Sequence, residues 1–303
     1  MNFITKKFAL SNKRLQVDRR FPEPSWVVYS AENQIKHPIH LGKIMWRDLL
    51  ASRELAWRLL VRDINGQYSQ SALGFFWAVV PAIITALGFT FAKNSGIVNI
   101  SDTELPYPVY VMFSTTLWET FLESLNGQIG ALAKSKAMLA RINFPREAIV
   151  LSQLGQIVFS FSIKLIFIIA LFIWFRVPVT LSVFIAPVGL IHLIMLGTAM
   201  GLLIAPLGTL YQDVSRLIPI VARFCLFLTP VVYPVPTQGL FSNIVRFNPV
   251  TPLLVTTREL ATTGIISDPQ GFWLVSVIAM IALFVGWVLY RQAMPYVIER
   301  ISA

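Results

Sequence analysis

The 303-residue chain is 55% hydrophobic and 13% charged, with a net charge of +10. Soluble domains carry about 25% charged residues, so a soluble fold of this length could not cover the apolar surface, and the bilayer is the expected solvent. The charge could indicate a nucleic-acid partner. However, twelve of the 25 Lys and Arg residues precede the first long apolar run, as on the cytoplasmic side of a membrane segment. These twelve are Lys6, Lys7, Lys13, Arg14, Arg19, Arg20, Lys36, Lys43, Arg47, Arg53, Arg58 and Arg62.

The first segment, residues 1–40, contains no apolar run as long as a secretory signal requires, and its basic residues are spread out. The sequence therefore predicts no cleaved signal peptide. Pro22, Pro24 and Pro38 interrupt any helix in this segment. We expect a cytoplasmic tail over residues 1–40.

An amphipathic helix is predicted over residues 41–70. Apolar residues recur there at steps of three and four, with arginines between them. The apolar positions are Trp46, Leu49, Leu50, Trp57, Leu60, Val61 and Ile64. Such a helix would lie in the headgroup plane, with its aromatic rings at the interface and its guanidinium groups on phosphates. An ordinary amphipathic helix packed on a soluble partner is the alternative.

Six apolar runs follow, each long enough to cross about 30 Å of hydrocarbon at about 1.5 Å per residue. They are Ser71–Ala92, Tyr107–Ile129, Ala148–Phe175, Val179–Leu207, Leu217–Val235 and Gly271–Tyr290. Their hydrophobicity is continuous rather than alternating, which favours helices over barrel strands. The expected fold is an all-α integral membrane protein with six transmembrane helices. Its membrane domain would span residues 71–295, with a cytoplasmic tail over 296–303.

The loops between these runs differ in charge. With the amino terminus inside, the cytoplasmic loops and tail hold Lys134, Lys136, Arg141, Arg146, Arg216, Arg291 and Arg300. The external loops hold fewer basic residues, together with the acids Asp102, Glu104, Glu259 and Asp268. This asymmetry predicts that both termini are cytoplasmic.

Two of the loops contain helix-forming sequence. The cytoplasmic segment Ala131–Arg146 predicts a short helix ended by Pro145, which could enter a groove on a cytosolic partner or could only anchor its flanking helices. The external segment contains two apolar stretches too short to span, Leu240–Phe247 and Val250–Leu260. Short helices at membrane depth need protein or a water-filled cavity around them. We expect two re-entrant or interfacial helices here; a helical cap lying flat is the alternative.

Ionisable side chains fall inside the predicted spans. Glu119 and Lys164 lie at equal depth, roughly 16 Å from the outer ends of the second and third runs, so they are a predicted pair. Glu123 and Arg223 both fall in the inner half and are predicted to form another. Charges in a spanning helix are usually paired or functional, so a proton relay or a substrate contact is the alternative.

The sequence lacks the groups that a membrane enzyme would need. It contains no Gly-x-x-x-x-Gly-Lys-Ser/Thr loop, so the chain cannot cradle ATP phosphates in the usual way. No His, Cys and carboxylate cluster has metal-ligand spacing, and no nucleophile has a nearby base. We therefore expect no catalytic, cofactor or metal site, and any transport would be driven by a partner or by an ion gradient.

Several short motifs occur in order along residues 45–295. They are Arg62-Asp63-Ile64, Tyr68-Ser69-Gln70-Ser71-Ala72-Leu73-Gly74, Trp77, Pro81, Phe144-Pro145-Arg146, the Asp213 turn, Thr229-Pro230-Val231-Val232-Tyr233-Pro234 and Asn248-Pro249 followed by Arg258. With these motifs the chain resembles the membrane subunit of ABC-2 type exporters of polysaccharides and polyol phosphates. That family usually pairs Arg with Asp at positions 212 and 213, and here Gln212 replaces the arginine.

The resemblance implies a homodimer that binds two copies of a cytosolic ATPase, which would carry the ATP and Mg²⁺. It implies export of a lipid-linked glycan, such as an O-antigen, across the inner membrane. The helix before the first span would be a gate helix, with Trp46, Arg53, Trp57, Arg58, Arg62 and Tyr68. The cytoplasmic loop helix would couple to the ATPase through Lys134, Lys136, Met138, Leu139, Arg141 and Ile142. The two short external helices would form the exit gate.

Aromatic side chains of the spans could stack on sugar rings along the channel, or could simply pack and face lipid. They are Trp77, Phe113, Trp118, Phe121, Phe224, Phe227 and Tyr233. Two other functions stay open: an ABC-2 exporter of a small molecule, and an ion-coupled secondary transporter that would use the buried charges. The second usually shows internal repeats, and none is visible in this sequence.

Overall fold

The computed structural model describes residues 38–69, 74–139, 144–236 and 238–302, and these residues form helices and no strands. Most of the predicted tail over residues 1–40 lies outside the described residues. The α-helices are α1 (Pro38–Ala51), α2 (Arg53–Tyr68), α3 (Val80–Asn94), α4 (Tyr107–Lys134), α5 (Lys136–Leu139), α6 (Glu147–Trp174), α7 (Ala186–Leu210), α8 (Gln212–Phe224), α9 (Leu240–Phe247), α10 (Val250–Ala261) and α11 (Pro269–Ser302). Short 3-10 helices cover Gly74–Ala78, Leu181–Phe184 and Cys225–Leu228.

Three helices of the described part are long and apolar enough to cross a membrane: Glu147–Trp174, Ala186–Leu210 and the segment Pro269–Arg300. The predicted first span is divided between a 3-10 helix and α3, which has Pro81 in its first turn. The predicted fifth span is divided between α8, a 3-10 helix and irregular chain. Pro230, which has no backbone donor, follows the 3-10 helix, whereas Pro219 is accommodated inside α8. These two runs are therefore not single continuous helices.

The core is built around α4, which packs on α7, α6 and α3. Its first half is buried almost without interruption from Tyr107 to Trp118. Glycine allows α7 to approach it closely. A Cβ atom on Gly197 would lie 2.8 Å from the carbonyl oxygen of Phe121, and one on Gly201 would lie 2.6 Å from that of Leu125. Any side chain at these two positions would separate the helices.

The predicted single helix over residues 41–68 is interrupted at one residue, Ser52, between α1 and α2. The Ser52 hydroxyl donates to the carbonyl oxygen of Asp48 at 2.6 Å, and the same oxygen also accepts from the Ser52 backbone N–H at 2.9 Å. Ala56 and Leu59 bury one face of α2 in a cluster shared with α6 and α11. Trp46 and Trp57 lie on the open side of α1 and α2 and are 61% and 66% exposed.

Both apolar stretches of the predicted external segment are helical. α9 covers Leu240–Phe247 and α10 covers Val250–Ala261, close to the predicted bounds. Every residue of α10 is buried, and this helix packs on α7, α11 and α4. Gly189 of α7 lies against α10, because a Cβ atom there would come within 3.2 Å of the Thr257 backbone.

Candidate functional site

A cavity of about 920 Å³, here called the central cavity, opens among the helices. It lies between the end of α2, the first 3-10 helix, α3, α4, α6 and α8. Its wall contains Gln67, Tyr68, Gly74, Trp77, Ala78, Pro81, Thr85, Phe89, Thr115, Trp118, Glu119, Leu122, Glu123, Asn126, Ser160, Pro219, Arg223, Leu226 and Phe227. The wall combines aromatic rings with charged and polar groups.

The aromatic residues predicted for a channel divide into two groups. Trp77, Trp118 and Phe227 line the central cavity. The others do not. Phe113 and Phe121 are buried in the core, Phe224 is 67% exposed, and the Tyr233 hydroxyl donates to the carbonyl oxygen of Phe227 at 2.9 Å. The first group alone can contact a molecule held in this cavity.

Polar atoms of α4 reach the central cavity without a partner. The indole nitrogen of Trp118 and the hydroxyl of Thr115 are buried and make no hydrogen bond within the part of the chain that the structure describes. The side-chain oxygen of Asn126 is also buried and makes no hydrogen bond to the described residues. Unsatisfied buried groups cost free energy, so water or a polar ligand in the cavity would satisfy them.

Lys164 of α6 lies between two carboxylates of α4. Its Nζ is 2.6 Å from Glu123 Oε1 and 3.5 Å from Glu119 Oε2, and the Ser160 hydroxyl donates to the same Glu123 oxygen at 3.2 Å. Lys164 is only 1% exposed. Two carboxylates at the cavity wall therefore share one buried cation.

The partner predicted for Glu123 requires correction. The sequence paired it with Arg223, but Glu123 contacts Lys164, and no ion pair joins it to Arg223 among the described residues. The reason is helical spacing, since residues four apart lie on the same face of a helix and Glu123 follows Glu119 by that interval. Arg223 reaches the central cavity separately, from α8.

The predicted gate helix ends at the central cavity. Tyr68 lines it, and burial raises the pKa of the Tyr68 hydroxyl, with a further contribution from Glu123. Arg53 and Arg58 lie on the open side, where Arg58 pairs with Glu54 at 2.6 Å. Arg62 pairs with Asp63 at 2.7 Å.

A second cavity of about 650 Å³ lies beside the first, between α2, α6 and the end of α4. Arg62, Asp63 and Lys134 line it, and Gln67 lines both cavities. Asp63 also accepts a hydrogen bond from Gln156 of α6 at 3.0 Å, which fixes α2 on α6. Charged side chains therefore surround the end of α2 that adjoins the central cavity.

The helix predicted to couple to a partner is one turn long, α5. Lys134 is exposed at the end of α4. Leu139 is 6% exposed and belongs to a core cluster with residues of α11, and Met138 packs on that cluster. Leu139 is therefore not available to a partner, contrary to the sequence prediction. Of Lys136 the structure describes only the backbone, and Arg141 and Ile142 lie outside the described residues.

Arg258 of α10 is the main residue whose place the sequence did not reveal. Its Nη1 donates to Ser114 Oγ at 3.0 Å and to the Pro230 carbonyl at 3.3 Å. Its guanidinium carbon lies 4.2 Å from the centre of the Tyr110 ring, and the Tyr110 hydroxyl donates to the Tyr233 carbonyl at 2.9 Å. This residue joins α10, α4 and the proline-rich segment 229–234.

Comparisons with known proteins give relatives of similar length, three of which are described below. The O-antigen export system permease protein RfbA of Myxococcus xanthus is 22% identical over 249 residues, which cover 78% of this chain and 92% of that protein. A Klebsiella pneumoniae protein of the same name is 21% identical over 208 residues, which cover 67% of this chain and 78% of that protein. The polysialic acid transport protein KpsM of Escherichia coli is 20% identical over 244 residues, which cover 77% of this chain and 91% of that protein.

The family comparison covers most of the described structure. Residues 54–261 match the family described as ABC-2 type transporter. This range begins in α2 and ends with α10, and so contains the central cavity, the Lys164 cluster and Arg258. The chain belongs to the ABC-2 type transporter family.

Proposed function

We propose that this chain is the membrane subunit of an ATP-driven exporter that moves a lipid-linked polysaccharide, of the O-antigen kind, across the inner membrane. The observation that carries the proposal is the central cavity. Within the family-matched region it brings two tryptophans and a charged cluster to one wall. Aromatic rings can stack on sugar faces, and carboxylates and amides can bind hydroxyl groups. The relatives named for O-antigen and polysialic acid transport support a glycan as the cargo.

The proposed assembly follows from the family. The chain crosses the membrane six times with both termini in the cytoplasm, and it works as a homodimer with two copies of a cytosolic ATPase. That ATPase binds ATP and Mg²⁺, and this chain binds no cofactor and no nucleic acid. α1 and α2 form the gate helix at the cytoplasmic surface, the loop around α5 receives the ATPase, and α9 and α10 guard the exit. The exposed Trp46 and Trp57 support an interfacial position for α1 and α2.

Export itself tests the proposal. In the source organism, deletion of the gene for this chain should remove the glycan from the cell surface and leave the lipid-linked form inside. Complementation with Trp77→Ala, which alters the cavity wall, should restore surface glycan poorly. Trp174→Ala is the matched control, because Trp174 is 83% exposed at the end of α6 and should complement fully. Unchanged surface glycan after deletion would contradict the proposal, and a drug-sensitive phenotype with intact glycan would favour the small-molecule exporter.

A further inference from the structure

A third cavity, of about 600 Å³, lies beside α9 and α10, and is here called the α10 cavity. The first turn of α4 and the loops before α4 and α11 complete its wall. Four apolar residues line it, Pro234, Val235, Pro252 and Val255, and the other lining residues are polar or charged. A cavity with this wall is suited to a polar ligand rather than to lipid.

The charges of the α10 cavity are unequal. Four carboxylates line it, and two arginines accompany them: Asp102, Glu104, Glu259, Asp268, Arg246 and Arg258. In the described part of the chain no ion pair joins any of these six. Within the part of the chain that the structure describes, these carboxylates also do not gather as a metal-binding group. The wall therefore carries more acidic than basic side chains, four against two.

Two buried polar atoms of this wall have no partner within the described residues. They are Nε of Arg258 and the hydroxyl of Thr251. Arg258 is 4% exposed and Thr251 is 6% exposed, so neither can be satisfied by bulk solvent. Both residues line the cavity, where a ligand atom could accept from Arg258 and exchange a hydrogen bond with Thr251.

We propose that the α10 cavity binds an uncharged sugar unit through its hydroxyl groups. A hydroxyl both donates and accepts, so it can donate to the carboxylates while accepting from Arg258 and Thr251. A sugar carboxylate or a phosphate could accept from Arg258 but would share the cavity with four carboxylates, which repel an anion. The inference rests on the proposed function and deepens it, because it selects a neutral glycan over a polyanion.

Binding to the full-length protein in lipid nanodiscs tests the site without the ATPase. The ligands are a hexasaccharide of mannose and a hexamer of α-linked sialic acid. Their binding is measured by saturation-transfer NMR. Wild type should bind the neutral hexasaccharide more tightly, and Thr251→Val should weaken that binding by about fivefold, the effect of one hydrogen bond. Thr198→Val is the matched control, because Thr198 is a buried threonine with an unpartnered hydroxyl that lines none of the three cavities described above. It should leave binding unchanged.

A charge variant tests the selection against anions. Asp102→Asn with Glu104→Gln changes two exposed loop residues and should raise binding of the sialic acid hexamer. Equal binding of both hexamers by wild type, or wild-type affinity in Thr251→Val, would overturn the site. The proposed function is tested separately in cells. If a glycan is exported while Thr251→Val exports and binds normally, only this inference fails; if no glycan is exported, the proposed function fails.

Discussion

Arg291 of α11 donates to Asp48 of α1 across 2.6 Å, although the two residues are 243 positions apart. The same guanidinium donates to Glu147 at the start of α6 at 3.0 Å. All three side chains are mostly buried, with exposures of 11%, 14% and 7%. One arginine thus fastens α1 to the helices α6 and α11, and any movement of the proposed gate helix must break or carry this contact.

Asp48→Asn should loosen α1 without unfolding the membrane helices. The variant weakens a charge-assisted contact worth about 1.5 kcal/mol, so hydrogen exchange of α1 amides should become about tenfold faster. Glu54→Gln is the control, because the Glu54–Arg58 pair is exposed and such pairs contribute little. Equal protection of α1 in wild type and Asp48→Asn would show that the contact does not hold the helix.

Lys164→Met should be the most damaging change in the charged cluster, because it leaves two carboxylates without their cation. Loss of one partner of a fully buried pair costs about 3–5 kcal/mol. Because Glu119 and Glu123 are 19% and 36% exposed, we expect a smaller loss here, seen as a lower folded fraction after heating and size-exclusion chromatography. Adding Glu123→Gln should restore more protein than adding Glu119→Gln, because Glu123 lies closer to Lys164. Lys43→Met, at an exposed position of α1, is the control. Additive losses in the double variants would contradict a coupled cluster.

Arg258→Gln should lower the apparent Tm by about 5 °C or more. The change removes a cation from the Tyr110 ring and at least one bond to Ser114 or Pro230, each bond to a charged group contributing about 1.5–3 kcal/mol. Arg246→Gln is the matched control, since Arg246 is an exposed arginine on α9 beside the same cavity. Equal Tm values for the two variants would exclude a structural role for Arg258.

Stability should depend on pH through Glu259. Burial raises the pKa of this carboxyl above its usual range, so the native state binds more protons than the unfolded state between the two pKa values. The free energy of unfolding therefore falls as pH rises from the pKa of the Glu259 carboxyl in the unfolded state to its pKa in the native state. Glu259→Gln should flatten the dependence of Tm on pH above about 4.5, and Glu54→Gln should not. An unchanged pH profile in Glu259→Gln would contradict this assignment.

Lys134→Glu should reduce co-purification of the ATPase while leaving membrane insertion intact. Lys134 is exposed at the end of α4, next to α5, and reversal of its charge would weaken a charged contact with a partner. Lys93→Glu, at the end of α3, is the control. Leu139→Asp should instead destabilise the chain itself, because Leu139 is in the core. If the ATPase co-purifies fully with the Lys134→Glu variant, Lys134 is not part of the coupling surface.

Continuous apolar patterns predicted single helices for the second, third and sixth runs, whereas the first and fifth runs are divided. The two short helices α9 and α10 were found because apolar stretches of limited length are bounded by proline and glycine. The depth of Glu119 and Lys164 was also predictable, because the rise per residue in a helix is constant. The depth of a residue gives its position along the helix axis but not the face of the helix on which it lies. For that reason Glu123 was assigned to Arg223, although Glu123 shares a face with Glu119.

Contacts between distant helices were not predictable. The sequence around Asp48 does not indicate that this residue pairs with Arg291, because the two residues are 243 positions apart. Leu139 was placed on a partner because a helix of four residues is too short for periodicity to separate an inner from an outer face. The place of Arg258 against Tyr110 depends on the fold of segment 229–234, which prolines make irregular.

ATP-dependent delivery of a lipid-linked glycan into inverted membrane vesicles tests the central claim most directly. Vesicles that contain this chain and its ATPase should accumulate glycan in the lumen only when ATP is supplied, and vesicles with the chain alone should neither hydrolyse ATP nor accumulate glycan. Accumulation by the chain alone on an ion gradient, or hydrolysis of ATP by the purified chain, would contradict the account.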